Sequence, residues 1–407
     1  MSSVVPDGWS KNTINECCEI LDSQRVPVNS EERAKRKGDY PYYGANGVQG
    51  YIDDYIFEGD AILLAEDGGN FDQYADRPIA QWVTGKFWVN NHAHILRAKD
   101  NATDKWIFYS LVHKNILKNI NGGTRAKLNQ SDLKEIEILL SPLPEQKKIA
   151  SILTSVDEVI ENTQKQIDKL QDLKKATMNE LLTKGIGHTE FKDSELGRIP
   201  KSWEVVTLSE IILSLDGGVS VNGQQRPANS AEVGVLKVSC VKQGRFIPSE
   251  NKVIEDYDRS RAKLNPCENT ILISRANTPE LVGESGYVER TRNDLFLPDK
   301  IWALRLNDSK NVDMRWLSSV LTNGETRRSI SDAATGTSSS MRNISKANLL
   351  QIKISLPPVL EQIKISRILR SLDAKRELFA GRLNKVKTLK KSLMQDLLTG
   401  KVRVTVN

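Results

Sequence analysis

Forty residues of this 407-residue chain occur twice in register, and that duplication limits the possible folds more than any other feature. Glu145-Gln146-Lys147-Lys148-Ile149-Ala150-Ser151-Ile152-Leu153 returns as Glu361-Gln362-Ile363-Lys364-Ile365-Ser366-Arg367-Ile368-Leu369. Without a gap, the same offset of 216 carries Asp157 onto Asp373, Leu173-Lys174-Lys175 onto Leu389-Lys390-Lys391, and Leu181-Leu182-Thr183 onto Leu397-Leu398-Thr399. Each copy reads as a long helix. In the first, Ile149, Leu153, Val156, Ile160, Ile167, Leu170 and Leu181 follow the alternating three-and-four spacing of a heptad seam. The second offers Ile365, Leu369, Leu372, Phe379, Leu383, Val386, Leu393 and Leu397. Thr163, Lys174 and Thr177 interrupt the first seam and Arg376 and Lys390 the second; polar seam positions fix register at a cost in stability. A helix of this length measures about 60 Å and cannot bury its own stripe, so pairing with its twin is the economical solution. Taken alone, the helices fit a two-helix coiled coil in any protein.

Composition narrows the class. Hydrophobic residues at 39% and charged residues at 27% describe a globular chain with some exposed helix, with room for two or three domains. No apolar run is long enough to cross a membrane and the N-terminus lacks a signal-peptide pattern, which predicts a cytoplasmic protein without a membrane partner. Cys17, Cys18, Cys240 and Cys267 form no C-x-x-C pair, and His92, His94, His113 and His188 form no ligand set at a recognised spacing, so no metal is expected. The net charge of +6 is unevenly placed. Residues 361–400 carry ten Lys or Arg against four Asp or Glu, whereas 145–184 balance seven against seven. Such a surplus suits a polyanion or an acidic partner, or a solvated basic face.

Between the helices lie two mixed α/β globules. The first opens at Pro6-Asp7-Gly8-Trp9, and Pro200-Lys201-Ser202-Trp203 repeats that opening in the second. Strands are expected over 60–65, 79–83 and 94–97 and a helix over 104–117. Ala61-Ile62-Leu63-Leu64 corresponds to Thr270-Ile271-Leu272-Ile273, and His94-Ile95-Leu96-Arg97 to Trp302-Ala303-Leu304-Arg305. The stretch 336–344 takes the place of 123–128, and the second globule is longer by 22 residues. The helices match residue for residue while the globules share a skeleton. That contrast suits helices that meet each other and a shared partner, and globules that meet different ligands, although loops drift readily in any case.

No catalytic engine is present in recognisable form. The phosphate loop G-x-x-x-x-G-K-[ST] is absent. Asn265-Pro266-Cys267-Glu268 lacks the second proline and the aromatic ring of an amino-methyltransferase motif and reads as a turn. Pro298-Asp299-Lys300 lacks the acidic-x-Lys that a metal-dependent nuclease adds, and Glu66-Asp67 reads as a polar turn before it reads as a cation site. Candidates for nucleic-acid contact are better supplied. Lys35, Arg36 and Lys37 could take phosphates, and Tyr42, Tyr43, Asn46 and Gln49 around Tyr43-Gly44-Ala45-Asn46-Gly47 could reach base edges. Thr124, Arg125 and Lys127 make a second basic loop; in the other globule the comparable groups are Gln225, Arg226, Lys237, Arg275, Asn277, Ser339, Arg342 and Asn343. For each of these, an exposed loop residue without a ligand is the competing reading.

Over nearly its whole length the chain resembles the DNA-specificity subunit of type I restriction-modification systems. The resemblance rests on Pro142-Leu143-Pro144-Glu145-Gln146 with Ile149-Ala150 and Leu153, on its echo Pro357-Pro358-Val359-Leu360-Glu361-Gln362, on the paired Leu-Leu-Thr endings, and on the 43–47 loop, which has no clear counterpart in the second globule. It implies an α+β fold with an internal pseudo-twofold repeat: target recognition domains over 1–144 and 200–358, long spacer helices over 145–184 and 359–407 paired as an antiparallel coiled coil, and a linker over 185–199. Each recognition domain would read half of a bipartite site in double-stranded DNA. The helices would set the gap and dock two methyltransferase subunits, in an assembly that can include restriction subunits. The chain itself would be non-catalytic and bind no cofactor, with S-adenosylmethionine, ATP and Mg²⁺ held by its partners. Two other classes stay open on the residues alone, a stand-alone DNA-modifying enzyme and a coiled-coil scaffold that never touches DNA.

Overall fold

A computed structural model describes residues 5–122, 126–307, 310–338 and 341–405, without the side chains of 336–338. The chain divides into two compact units, residues 1–165 with 380–407, and residues 166–379. Both duplicated segments are helical, over Leu143–Lys184 and Val359–Leu397, and each contributes one part to either unit.

In the first unit the strands are β1 (Ser10–Thr13), β2 (Cys18–Ile20), β3 (Tyr40–Gly44), β4 (Gly47–Ile52), β5 (Phe57–Glu58), β6 (Ala61–Ala65), β7 (Ala80–Val83), β8 (Lys86–Val89), β9 (Ala93–Ala98) and β10 (Glu137–Leu140). They form a main sheet β2-β9-β6-β7, a second sheet β4-β3-β8-β5 and the pair β1-β10. The continuous apolar run of β6 is buried on both faces, as such a run requires. Ile62, Leu64 and Leu96 face a core with Trp106 and Ile107 of helix α1 (Asp104–Leu111), while Leu63 and Ile95 face a smaller core with Phe57, Phe87 and Val89. The helix expected over 104–117 stops at Leu111, because the Val112 carbonyl accepts the Ile79 N–H instead of continuing the helical ladder.

The second unit rebuilds this plan from β11 (Glu204–Thr207), β12 (Ile212–Gly217), β13 (Gly223–Gln224), β14 (Gly234–Leu236), β15 (Val241–Lys242), β16 (Gly244–Phe246), β17 (Asn251–Ile254), β18 (Thr270–Ser274), β19 (Ala276–Asn277), β20 (Ser285–Val288), β21 (Leu295–Phe296), β22 (Ile301–Leu306), β23 (Thr335–Ser338), β24 (Met341–Asn343) and β25 (Lys353–Leu356). Its main sheet, β12-β22-β18-β20-β16-β15, extends the four-strand order with the β15–β16 hairpin, part of the second globule's extra length. Register is conserved between the units: Ile62 pairs with Leu96 and Ile271 with Leu304, so the correspondences read from sequence are correspondences in space. Helix α2 (Met314–Thr322) covers this sheet as α1 covers the other, with Trp316 where the first unit has Trp106.

The duplicated Glu-Gln pair is where helix and globule are joined. In the first unit the Trp9 indole N–H donates to Glu145 at 3.0 Å, and Arg403 donates to the same carboxylate at 2.8 and 2.9 Å. Gln146 is fully buried; its amide donates to the Ser141 and Asn101 carbonyls and accepts from the Thr103 N–H, at the residue that caps α1. The second unit repeats the tryptophan and glutamine contacts. Trp203 donates to Glu361 at 3.0 Å, and Gln362 donates to the Pro357 and Asn311 carbonyls and accepts from the N–H of Asp313, the cap of α2.

Seam residues serve more than one surface. Ile149 and Leu153 lie in the core of the first unit with Met394 and Leu397, and Ile365 and Leu369 in that of the second with Leu182. Leu383 is buried, whereas Val156, Ile160, Ile167, Leu170, Leu372, Phe379 and Val386 are half-buried. Within the first unit Glu145 meets Arg403 and Asp157 meets Lys390 at 2.6 Å, so the two long segments run in opposite directions. In the second, Glu361 meets His188 and Lys174 meets Asp373 at 2.7 Å, with the same sense.

Removing a fully buried amide that satisfies three backbone groups leaves those groups without partners, each at a cost of about 1–3 kcal/mol when water cannot reach them. Gln146→Ala should therefore lower the unfolding free energy of the first unit by about 2–4 kcal/mol, and Gln362→Ala should do the same in the second. Urea titration of the full chain checks this; a loss below about 1 kcal/mol would show that water replaces the amide.

Candidate nucleic-acid interface

The Tyr43-Gly44-Ala45-Asn46-Gly47 motif is the tip of the β3–β4 hairpin. Gly47 has φ of +126°, a conformation that favours glycine, and the Gln81 amide braces the turn by donating to the Gly44 and Ala45 carbonyls at 3.0 and 2.9 Å. Asn46 is exposed. Its amide donates to the Gly68 carbonyl at 2.8 Å and accepts from Asn70 at 3.1 Å, which ties the hairpin to the 66–70 loop. Gln49 is exposed beside it and accepts from Asn90. Lys127 joins the same neighbourhood, since its backbone bridges to Asp67 and Asn121 and its ammonium lies 3.3 Å from Glu66. Asn46, Gln49 and Lys127 are thus brought together. Thr124 and Arg125 lie outside the described residues.

The other candidates of this unit are placed differently. Lys35 and Lys37 are exposed without an ion pair among the described residues, but they sit near Asp53, at the far end of β4 from the turn, about 20 Å along the strand. Arg36 is engaged by Asp53 at 2.8 Å and stacks over Trp88. Tyr42 is a correction to the surface position expected for it: the side chain is buried, and its hydroxyl both donates to and accepts from the Val28 backbone. Strand alternation explains this, because β3 turns Tyr42 to the core and Tyr43, half-buried against Phe87, to the other side.

Beneath the loops lies a charged network that no spacing in the sequence announces. His94 is buried, with Nδ1 at 2.6 Å from Asp22 and Nε2 at 2.9 Å from the Leu128 carbonyl, so both ring nitrogens face acceptors. Arg25 bonds Glu66 at 2.7 Å and lies 3.5 Å from Asp22. Asp22, Glu66 and His94 bring three ligand-type atoms within 4.8 Å of one another, but the Arg25 guanidinium already answers their charge and the His94 nitrogens are taken, so the set does not fit a metal ion. Burial pushes the Asp22 carboxyl up, yet hydrogen bonds from His94 and the Ile95 N–H, with the charge of Arg25, bring it below the ordinary range.

In the second unit Asn277 pairs with Arg342 and Ala276 with Asn343 across β19 and β24, and the Arg275 carbonyl accepts the Ile344 N–H at 2.9 Å. Asn277, Arg342 and Asn343 therefore share one small sheet, and Arg275 immediately precedes its strand β19. Ser339 lies outside the described residues. Gln225 is exposed just after β13, beside Arg226, which forks onto Glu232 and holds that carboxyl down to about 2. Lys237 is half-buried after β14. The anchoring of the loops is the same in both units, Leu128 N–H to Glu66 carbonyl and Ile344 N–H to Arg275 carbonyl, but the side chain at the anchor changes from acid to base.

The sequence profile described as the type I restriction modification DNA specificity domain matches this chain twice, over residues 6–172 and 200–388. The chain belongs to that DNA specificity family. Its function is DNA target recognition. The MjaVIII specificity subunit of a type I restriction enzyme from Methanocaldococcus jannaschii is 28% identical, covering 98% of this chain and 94% of its own length. A putative MjaX specificity subunit from the same organism is 31% identical over 76% of this chain and 71% of its own. The crystal structure of a type I system S subunit from M. genitalium superposes with a TM-score of 0.62 at 19% identity, covering 96% of each chain, and shares the fold. The two profile matches fall on the two globules and their following helices, so the specificity domain is the repeated element here. No helix among the described residues is long and apolar enough to cross a membrane.

The Asp22 network gives the first unit an acid limit. Because the folded carboxyl lies below its unfolded value, the stabilisation is complete above about pH 4 and is lost as pH falls through the lowered value. Asp22→Asn should flatten that acid limb, as read from urea midpoints between about pH 6 and pH 2. An acid limb unchanged in the variant would assign it to other carboxylates.

Proposed function

We propose that this chain is a non-catalytic reader of a bipartite DNA site, which aims the modification subunits of a type I restriction-modification assembly. The observation that carries the reading is a repeated frame with unlike tips: the same sheet register and the same Glu-Gln joint hold Asn46, Gln49 and Lys127 in one unit and Arg275, Asn277, Arg342 and Asn343 in the other. Each unit reads one half-site. Asn and Gln amides match the donor and acceptor pair of adenine, Arg that of guanine, and the exposed lysines take phosphates.

The recognition domains occupy 1–144 and 200–358, and the long helices, 145–184 and 359–407 with the tail, pair as an antiparallel coiled coil that fixes the gap between half-sites. Helices of 42 and 39 residues are each about 60 Å long, enough to hold readers roughly one DNA turn of about 34 Å apart. Leu173 and Leu389, equivalent positions of the repeat, are each 52% exposed, which supports docking of two copies of one partner. Those partners are methyltransferase subunits, joined in restricting complexes by restriction subunits, and they hold the S-adenosylmethionine, ATP and Mg²⁺.

Exchanging residues 9–141 for the matching part of a relative should change one half of the recognised site and leave the other intact. Methylation mapping of DNA modified by the hybrid assembly reads this directly, and a change in both halves would contradict separate readers. Purified chain with S-adenosylmethionine, or with ATP and Mg²⁺, should turn nothing over; activity without partners would make it an enzyme in its own right. Deleting matched turns from both long helices should change the permitted gap with both half-sites unchanged.

A further inference from the structure

The first unit contains a cleft of about 710 Å³ between the end of α1, the turn at Tyr74–Asp76 and the long-helix segments. Its floor is apolar, supplied by Tyr74, Tyr109, Ile160, Met394 and Leu398. Its rim is basic. Lys390 is answered by Asp157 at 2.6 Å, and Lys391 reaches the exposed Asp76 at 3.5 Å. Lys114 and Lys387 have no ion pair among the described residues. Lys114 is the less comfortable of the two: burial, and then the like charge of Lys118, push its ammonium below the ordinary lysine range. A half-buried cation beside Lys118, eased only in part by the charge of Glu137, which is itself paired with Lys11 and Lys118, is a costly arrangement, and a carboxylate brought to it from outside would relieve that cost.

The second unit provides a contrast. There a cavity of about 430 Å³ also lies against the long-helix segments, but Arg315 is forked onto Glu289, Arg245 pairs with Glu377 at 2.9 Å, and Lys174 with Asp373 at 2.7 Å. Most of its cations are internally neutralised. The first unit leaves two cations open above a greasy floor.

We propose that this cleft is a docking groove for an acidic segment of a partner protein, one that sets apolar side chains on the Tyr109–Met394 floor and a carboxylate against Lys114 and Lys387. The partner rests on the reading above: it is a modification subunit, contacted here through the recognition unit as well as along the helices. Charge complementarity and the floor select it together. DNA offers phosphates but no apolar face to cover Ile160, Met394 and Leu398, and a duplex is convex where this surface is concave.

Lysine acetylation read by mass spectrometry tests the proposal on the unmodified full chain, alone, with the modification subunit of its own system, and with a 30-base-pair duplex carrying its target. Lys114 and Lys387 should lose reactivity several-fold with the modification subunit and keep it with the duplex, while Lys35 and Lys37 show the reverse. Protection by duplex alone, or equal reactivity in the assembled complex, overturns the groove while leaving the DNA reading intact. Failure of the modification subunit to assemble at all overturns both. Lys114→Glu with Lys387→Glu should weaken assembly at least about tenfold, with thermal unfolding of the free chain unaltered or raised, since the substitution removes an unpaired cation. Wild-type affinity in that variant also overturns the groove.

Discussion

The joint between a buried amide and a helix cap governs what each half of this protein can do. Gln146 ties the Ser141 and Asn101 carbonyls to the Thr103 N–H, and so fixes in one place the start of a long helix, the end of β10 and the entry to α1. An apolar side chain would fill the space equally well. It would not define an angle, because hydrophobic contact is roughly proportional to area and indifferent to direction. An amide with three hydrogen bonds in a dry site has few alternatives to its observed geometry, since any rotation strands a donor or acceptor at about 1–3 kcal/mol. A reader carried by such a joint keeps its pose relative to the helix that bears it.

The neighbouring glutamate adds a closure that differs between units. Glu145 is closed by Arg403, whose guanidinium also donates to the Asp7 carbonyl, so residues far apart in sequence, before β1 and after the second long helix, meet at one carboxylate. Glu361 is closed by the Ile186 N–H and by His188, from the segment that follows the first long helix. Both arrangements place a tryptophan N–H on the acid and a donor from the post-helix segment opposite it. The geometry is therefore set by the position of the segment rather than by one residue type, which explains how Arg403 and His188 can fill corresponding roles without corresponding in the repeat.

Much of this frame was legible in the sequence because it depends on periodicity and spacing. The constant offset of 216, the proline-led Glu-Gln starts and the apolar runs 61–64 and 270–273 each report a local requirement that repeats along the chain, and they recover the helices, the central strands and the duplicated plan. The candidate interface was legible only in part. Asn46 and Gln49 announced themselves through the glycine turn, but Tyr42 is turned inward by an alternation that an irregular hairpin conceals. Gln81, Asn70, Asp22 and Arg25 carry no spacing signal at all, since their partners lie between 3 and 108 residues away and are chosen by folding. What sequence reading also missed is that Glu145 and Gln146 act outward, on the globule, while looking like the first turn of a coiled coil.

The two anchors at Glu66 and Arg275 show how such a frame can change what it reads. In both units a backbone N–H, of Leu128 or of Ile344, docks on the carbonyl one residue past the central strand, a contact blind to the side chain at that position. In the first unit that side chain is an acid, and its charge has been absorbed by Arg25 and Lys127. In the second it is an arginine at the entry to the small sheet that carries Arg342. Because the anchoring bond is made by backbone atoms, the sign of the charge at this position can invert without breaking the anchor. The joint and the register carry the frame, and the side chains at its tips can differ between the units without disturbing either.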